Sequence, residues 1–504
     1  MKRKLVVASR SMVLSLLTIM GTSTARAQPP PGVEPTTLVV RPAAQPVPAL
    51  KYRLVPERRE LAPGSGNAAV YYHRAMQLLV QGRVGREQPA KPQAGGTPAQ
   101  SAEELVMRWT AGPISAVPRD EARRQIATFE NVLREVELGA RQPSCDWEFD
   151  QRDEVFTLLL PEIQEMRSLA RIVALRASLA TLDGKTDEAA HWIQTGLVMG
   201  RHVGHGPILI QALVGVAIDW SMLKCLEDLI QAPGTPSLYW ALADRPRPFI
   251  DMRYPLEGER YILERELPAL GGIERGVWST DEVRRFADEF QRKVFPNLAG
   301  EPIPGFGTVP RSVPEFGGKL TLALMAARVY PQARRALVDG GMPESRADEL
   351  PVIQAAALYS YQEFRRVRDE SYKWLNVPYW QSYDRVDRAS SITVDQKLAN
   401  PILALFRFYV SALNSARLAS VRLERRFDAL QCVEAVRLYA HEHGGSFPTS
   451  LAGLADSPVP LDPGTGKPFE YRSDGATATL SAPAPPGAPD NQFYLIRYVF
   501  KSNK

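Results

Sequence analysis

The chain has 504 residues, 44% hydrophobic and 23% charged, a composition that excludes wholesale disorder and a length that supports two or three domains. Its formal charge of +5 comes from the first 27 residues, which hold Lys2, Arg3, Lys4, Arg10 and Arg26 and no acid; of 61 Lys and Arg, 56 lie beyond them against 56 acids, so no basic nucleic-acid footprint remains. Three cysteines and six histidines are too few and too scattered for a disulfide framework or a zinc site, and no metal or cofactor is expected.

In chain order, residues 1–27 read as a secretory signal peptide: a basic start, an apolar run from Ser11 to Met20, and Ala25-Arg26-Ala27 as cleavage site. The apolar run is about half of the roughly 20 residues a membrane span needs, and no Cys follows to accept a lipid. The mature chain is expected to begin at Gln28, exported to the periplasm or cell envelope, with no transmembrane span after cleavage. Residues 28–55 contain Pro29, Pro30, Pro31, Pro35, Pro42, Pro46 and Pro48 and read as an extended Pro-rich linker.

A helical domain is expected over residues 56–430. Its first helix runs from Asn67, as N-cap, to Gln81, with Tyr71, Ala75, Leu78 and Leu79 on one side; a Gly/Pro/Gln loop follows to Thr97. Ser101-Ala-Glu-Glu104 is a capping box, and Pro118 introduces a helix from Arg119 to Leu138. Three helices fill Glu154 to Ile230, broken at Asp183-Gly184 and at Gly204 to Pro207. The run Ile208 to Ile218 is apolar all round, and Gln211, Asp219 and Lys224 place that helix in a core rather than a membrane.

Shorter helices are expected at Leu238 to Ala243, Leu256 to Leu267 and Ser279 to Val294, then a Gly/Pro loop (Asn297 to Pro314), helices at Lys319 to Val338 and Leu350 to Trp374, and an aromatic turn from Trp374 to Tyr383. Asn400-Pro401 starts a helix that meets no Gly or Pro until Gly444, about 64 Å at 1.5 Å per residue, so it crosses into the next domain. Phe469 to Arg472, Thr477 to Ser481 and Gln492 to Phe500 read as strands, the first two joined at Ser473-Asp-Gly475. The expected fold is mainly α: an irregular helical-hairpin body with a small C-terminal α+β module over residues 431–504.

Within that module, Ala435, Leu438, Tyr439, His443-Gly444, Phe447-Pro448, Ser450-Leu451, Leu454, Asp462-Pro463, Gly466-Lys467-Pro468-Phe469 and Tyr471 resemble the globular part of type II secretion pseudopilins over about 40 residues. The resemblance implies a helix ended by glycine, a Phe-Pro turn, and a hairpin opened by Asp-Pro-x-x-Gly. Pseudopilins assemble through an N-terminal apolar helix freed by a peptidase, whereas this module follows some 400 residues; the resemblance therefore implies shared architecture rather than filament membership. Ala170 to Gly204 resembles one tetratricopeptide-type (TPR-like) hairpin, without a 34-residue recurrence. Asn67-Ala-Ala-Val-Tyr-Tyr72, Cys145-Asp-Trp147, Arg201-His-Val203 and Pro233 to Leu242, taken with the tail, resemble a family of uncharacterised exported helical proteins typical of planctomycetes, which implies architecture and no activity.

Candidate chemistry is sparse. Cys145-Asp146-Trp147 joins a nucleophile, an acid and an aromatic ring, but a nucleophilic Cys needs a basic partner. His202-x-x-His205 has metal-ligand spacing on a helix, against a plain helix-end role beside the dipole. His441-Glu-His443 lacks the zincin spacing. Arg365 to Arg368 and Arg422 to Arg426 are interleaved with acids and read as solvated faces or intramolecular ion pairs. Trp374, Tyr379, Trp380 and Tyr383 form a possible interaction surface.

Together these features point to an exported, non-enzymatic scaffold or protein-interaction protein of the cell envelope, with envelope proteins as partners. The alternatives are an exported hydrolase using Cys145, Asp146, His202 and His205, and an accessory component of a type II secretion-like assembly.

Overall fold

A computed structural model describes residues 36–64, 66–84, 101–147, 160–294, 302–303, 307–308, 315–390, 400–406, 412–474, 477–489 and 493–502. The expected signal peptide lies outside them, as do most of the loop to Thr97 and Gly475 of the expected turn. The chain divides into two compact units. The larger combines Ala25–Asp150, Leu158–Pro255 and Arg417–Lys504; the smaller is built on Leu256–Ala416.

The larger unit begins with strand β1 (Thr36–Val40), then helices α1 (Ala68–Val84), α2 (Ala102–Ala111), α3 (Arg119–Ala127) and α4 (Glu130–Ala140). The Asn67 side chain accepts from Ala69 N at 3.0 Å, and Ser101 and Glu104 close the expected capping box on α2. The single helix expected over Arg119 to Leu138 is two, divided at Thr128-Phe129.

Its centre is the run α5 (Leu160–Leu182), α6 (Thr186–Gly204) and α7 (Leu209–Gln231). Gly184, at φ +70°, closes the α5–α6 hairpin: Lys185 N donates to Ala180 O at 2.9 Å and Gly184 N to Thr181 O at 3.1 Å, a Schellman pair that needs the left-handed residue. Helices α6 and α7 approach through glycines. A methyl group on Gly215 would lie 2.5 Å from Gly200 O and 2.6 Å from Gly204 Cα, and one on Gly196 would strike Met222. Among the described helices α7 alone is long and apolar enough to cross a membrane, and 72% of its apolar window is buried inside the protein, as its polar residues led us to expect. A short helix, α8 (Tyr239–Ala243), follows.

In the smaller unit, α9 (Arg253–Arg260) leads into α10 (Ile262–Glu266), α11 (Thr280–Glu289), a two-residue ladder of β2 (Pro302–Ile303) with β3 (Gly307–Thr308), α12 (Glu315–Asp339), α13 (Glu344–Glu349) and α14 (Val352–Lys373). The buried Gln354 amide accepts from Trp278 N at 2.8 Å and donates to Ile273 O and Gly276 O, tying α14 to the loop before α11. The expected aromatic turn is short: Trp374–Asn376 is one 3-10 turn, and Tyr379 already opens α15 (Tyr379–Ser390). Asn400 caps α16 (Pro401–Phe406), accepting from Leu403 N at 2.9 Å.

Helix α17 (Ala412–Glu442) returns the chain to the larger unit, followed by β4 (Glu470–Ser473), β5 (Thr477–Ala482) and β6 (Ile496–Ser502). The sheet order is β1-β6-β5-β4. β1 pairs parallel with β6, Leu38 opposite Phe500, and the other pairs are antiparallel. The fold is mainly α with a small C-terminal α+β module, as expected. One expectation changes: residues 28–55 are not linker throughout, because Thr36–Val40 forms an edge of that module's sheet with Leu38 and Val40 buried. Alternation of Leu38 and Val40 with exposed Thr37 and Val39 was visible in sequence, but the prolines on either side masked it.

Helix α17 carries an unusual core of buried charge. Arg425, fully buried, forks onto Asp462 at 2.8 and 2.9 Å and also donates to Pro483 O at 2.5 Å and to Tyr494 O. Asp462 in turn accepts from Gly464 N at 2.8 Å and shapes the turn to Gly466. Arg245 meets Glu424 and Asp428. Glu434 accepts from Leu238 N, Ser237 Oγ and Arg437 at 2.6–3.0 Å. Arg426 and Tyr498 share Glu227. In the Arg422 to Arg426 string, Glu424, Arg425 and Arg426 thus form intramolecular ion pairs, while Arg422 lies over the Trp220 and Phe493 rings.

Breaking such a pair leaves an uncompensated buried charge. Asp462→Asn should lower unfolding free energy by about 3–5 kcal/mol, measured by urea titration, whereas replacing both partners, Arg425→Met with Asp462→Leu, should cost less than the single change. Gly215→Ala should cost about 1–3 kcal/mol by overpacking; an unchanged urea midpoint would contradict the close α6–α7 approach.

Candidate functional site

Several residues singled out in sequence do meet in the larger unit. The Tyr72 hydroxyl lies 2.9 Å from Nδ1 of His202. The Trp147 indole donates to the His202 carbonyl at 3.2 Å and stacks on Tyr72 with centroids 6.0 Å apart, while His73 meets Trp147 edge-on at 5.6 Å. The loop bearing Cys145 is fixed by Asn67, which accepts from Asp146 N at 2.9 Å and donates to Asp146 O at 2.6 Å. Asp146 itself is exposed.

The electrostatics run against catalysis at this cluster. Burial, then the nearby Asp146 carboxylate, pushes the Cys145 thiol up to about 12, and burial, then the charges of Arg201 and His205, pushes His202 down to about 3. A neutral thiol and an imidazole that cannot hold a proton at neutral pH are neither nucleophile nor base. The helix-end reading for His202 is thereby corrected in one respect: it lies in the last turn of α6 but uncharged, so it offers nothing to the dipole. His205 is the C-cap residue of α6, and its pKa is also lowered by burial, then Arg201. No group of three potential metal ligands occurs among the described residues.

The aromatic quartet is mostly packing. Tyr379 is buried and lies 6.2 Å from Tyr383; Trp374 is half-buried between Lys373 and Arg385, at 5.3 and 5.5 Å; Trp380 is the exposed member, at 39%.

A cleft that the sequence did not announce opens elsewhere in the larger unit. It encloses about 410 Å3 between the end of α2, α5 and α7, lined by Trp109, Ile114, Val117, Ala174, Trp220 and polar groups that include Arg171, Ser178, Lys224 and Asp228. A smaller hollow of about 210 Å3 shares Met107 and Arg171. Lys224 spans the cleft wall and caps α2, donating to the carbonyls of Thr110, Ala111 and Gly112 at 3.0, 3.2 and 2.5 Å. Burial raises Asp228 to about 6, against the opposing pull of Lys224.

No protein-family model, curated protein or solved structure matches this chain. Function must accordingly be argued from the site. Nothing in sequence marks Arg171 or Asp228, each an ordinary charge in a helical stretch; only the packing of three helices and the α2 terminus brings them to one opening.

Two outcomes follow for the Cys145 cluster. In the native chain at pH 8, iodoacetamide should leave Cys145, Cys225 and Cys432 unlabelled over minutes and modify all three in urea; rapid native labelling of Cys145 would restore the nucleophile reading. With His202 near 3 when folded and ordinary when unfolded, the unfolded chain binds the extra proton between about pH 6.5 and 3. Stability therefore falls as pH drops through that window, by up to roughly 1.4 kcal/mol per unit. His202→Gln should flatten this acid limb in pH-dependent urea titrations, and identical limbs in both proteins would refute the burial argument.

Proposed function

We propose that this is an exported, non-enzymatic protein that presents binding surfaces in the cell envelope. The observation that carries the reading is the state of Cys145 and His202: they lie in one packed cluster, yet burial drives both to their neutral forms, which removes the machinery the hydrolase alternative required. The basic-apolar-AxA start of the chain supports export. Within the larger unit, α7, α17 and the C-terminal sheet share one charged core, which gives that unit a fixed surface. Among the aromatic candidates Trp380 is the accessible contact, and large exposed rings are favoured at interfaces.

Deleting residues 431–504 is a poor test, because Glu434, Arg437 and Asp462 belong to the core of the larger unit. A photo-crosslinking amino acid placed at Trp380, with the exposed Lys185 position as control, tests the reading in cells. The expected result is a mature chain starting at Gln28 in the envelope fraction, with adducts to envelope proteins from position 380 and not from 185. A cytoplasmic chain with its N-terminus intact, or adducts from neither position, would overturn it.

A further inference from the structure

The cleft between α2, α5 and α7 holds two charges of opposite sign, neither of them paired. Arg171, on α5, and Asp228, on α7, both line it, and neither forms a hydrogen bond or ion pair with any described residue. The two other cations at the opening attract Asp228 through space, but their own hydrogen bonds go elsewhere. All three Lys224 contacts go to the α2 carbonyls, and Arg426 is held by both oxygens of Glu227, at 2.8 and 2.5 Å, with its guanidinium 4.4 Å above the Trp220 ring. Cys225 is no nucleophile: its thiol contacts Ala174 O at 3.7 Å, and burial raises it to about 12.

Both side chains are part-exposed and keep their water, so a ligand that brings the complementary charges replaces that water with charge-assisted hydrogen bonds. A simple anion would meet Asp228, and a simple cation would meet Arg171 and Lys224. A molecule with both charges satisfies both residues. The wall between them is apolar and aromatic, with Trp109, Ile114, Val117, Ala174 and Trp220, and the volume of about 410 Å3 falls at the small end of the roughly 300–1,000 Å3 usual for small-molecule sites. Ser221 donates its hydroxyl to Ala217 O at 3.2 Å, which leaves its lone pairs for a ligand N–H.

We infer that this cleft binds a zwitterion of amino-acid to dipeptide size, its carboxylate on the Arg171 fork and its ammonium on Asp228. The guanidinium suits a carboxylate because it offers parallel donors, and the apolar wall suits an aliphatic side chain. This goes beyond the export and interaction reading and does not depend on it.

Calorimetric titration of the full mature chain with leucine, glycyl-leucine and leucyl-glycine tests the assignment, beside the same compounds N-acetylated or C-amidated. At least one free zwitterion should bind, and capping either end should weaken it about tenfold or more. Arg171→Gln should erase the difference between acid and amide, and Asp228→Asn the difference between free and acetylated amine, with helix content by circular dichroism unchanged. The uncapped and capped series on the unaltered protein decides the matter even if a variant misfolds. The inference fails if none of the three zwitterions binds at millimolar concentration, or if the capped forms bind as well as the free ones.

Discussion

The larger unit depends on the contact of Arg425 with Asp462, a pair without solvent exposure on either side. It joins the helix that closes the body to the turn that opens the sheet, and Arg425 also holds the carbonyls of Pro483 and Tyr494 in the connection to β6. Four of the five Arg425 N–H donors and both Asp462 oxygens have partners, close to the full satisfaction under which a buried ion pair is tolerated. Such a pair adds little net stability over an apolar substitute, but losing one partner costs about 3–5 kcal/mol, a large share of the roughly 5–15 kcal/mol that holds a domain together. What the pair supplies is position: an apolar contact would let α17 slide or rotate against the turn, whereas a forked guanidinium admits one register.

The rest of α17 extends the same logic in both directions. Glu434 fixes the start of α8 through Leu238 N and Ser237, Arg437 reaches the carbonyls of Arg41 and Thr235, and Glu424 receives Phe249 N at 2.6 Å. Loops that lack regular structure are thus tied to one helix by charged side chains that take up their backbone groups. Arg41 is the residue after β1, so the helix also fixes the N-terminal strand against the sheet. One helix thus holds the residue after β1 and the connection between β5 and β6, which brings strands several hundred residues apart in sequence to one sheet.

How much of this was legible follows from which signals are local. The α5–α6–α7 run, its Gly184 turn, the capping box at Ser101 and the N-cap at Asn400 were readable, because caps and turns are satisfied within about five residues of sequence. β1 was not, since a short strand flanked by proline is recognised by its partner, and β6 lies more than 450 residues away. The charged core was legible only as a choice between solvent and ion pairs, because charge alternation looks the same in both settings. Cys145 and His202 were readable as residues of interest, but the sign of their pKa shifts was not, as burial is the largest cause of both and only the fold supplies it. The cleft had no sequence signal at all.

Unpaired carboxyls show the difference between a group the fold tolerates and one it leaves available. Asp219 on α7 is fully buried, neither oxygen has a hydrogen-bond partner among the described residues, and a methyl group on Gly200 would collide with it. Burial raises its pKa well above the ordinary carboxylate value despite the attraction of Arg201, in a space that glycine keeps narrow. Asp228, two and a half turns further along the same helix, is also raised by burial, but it faces an opening that admits a ligand and shares it with an unpaired cation. Burial biases the first carboxyl toward its protonated form; the second, part-exposed in the cleft, is the one a ligand can reach. Since burial acts on both in the same direction, it is access together with an opposite charge across the space, rather than the size of any shift, that separates a structural acid from a recognition group on this helix.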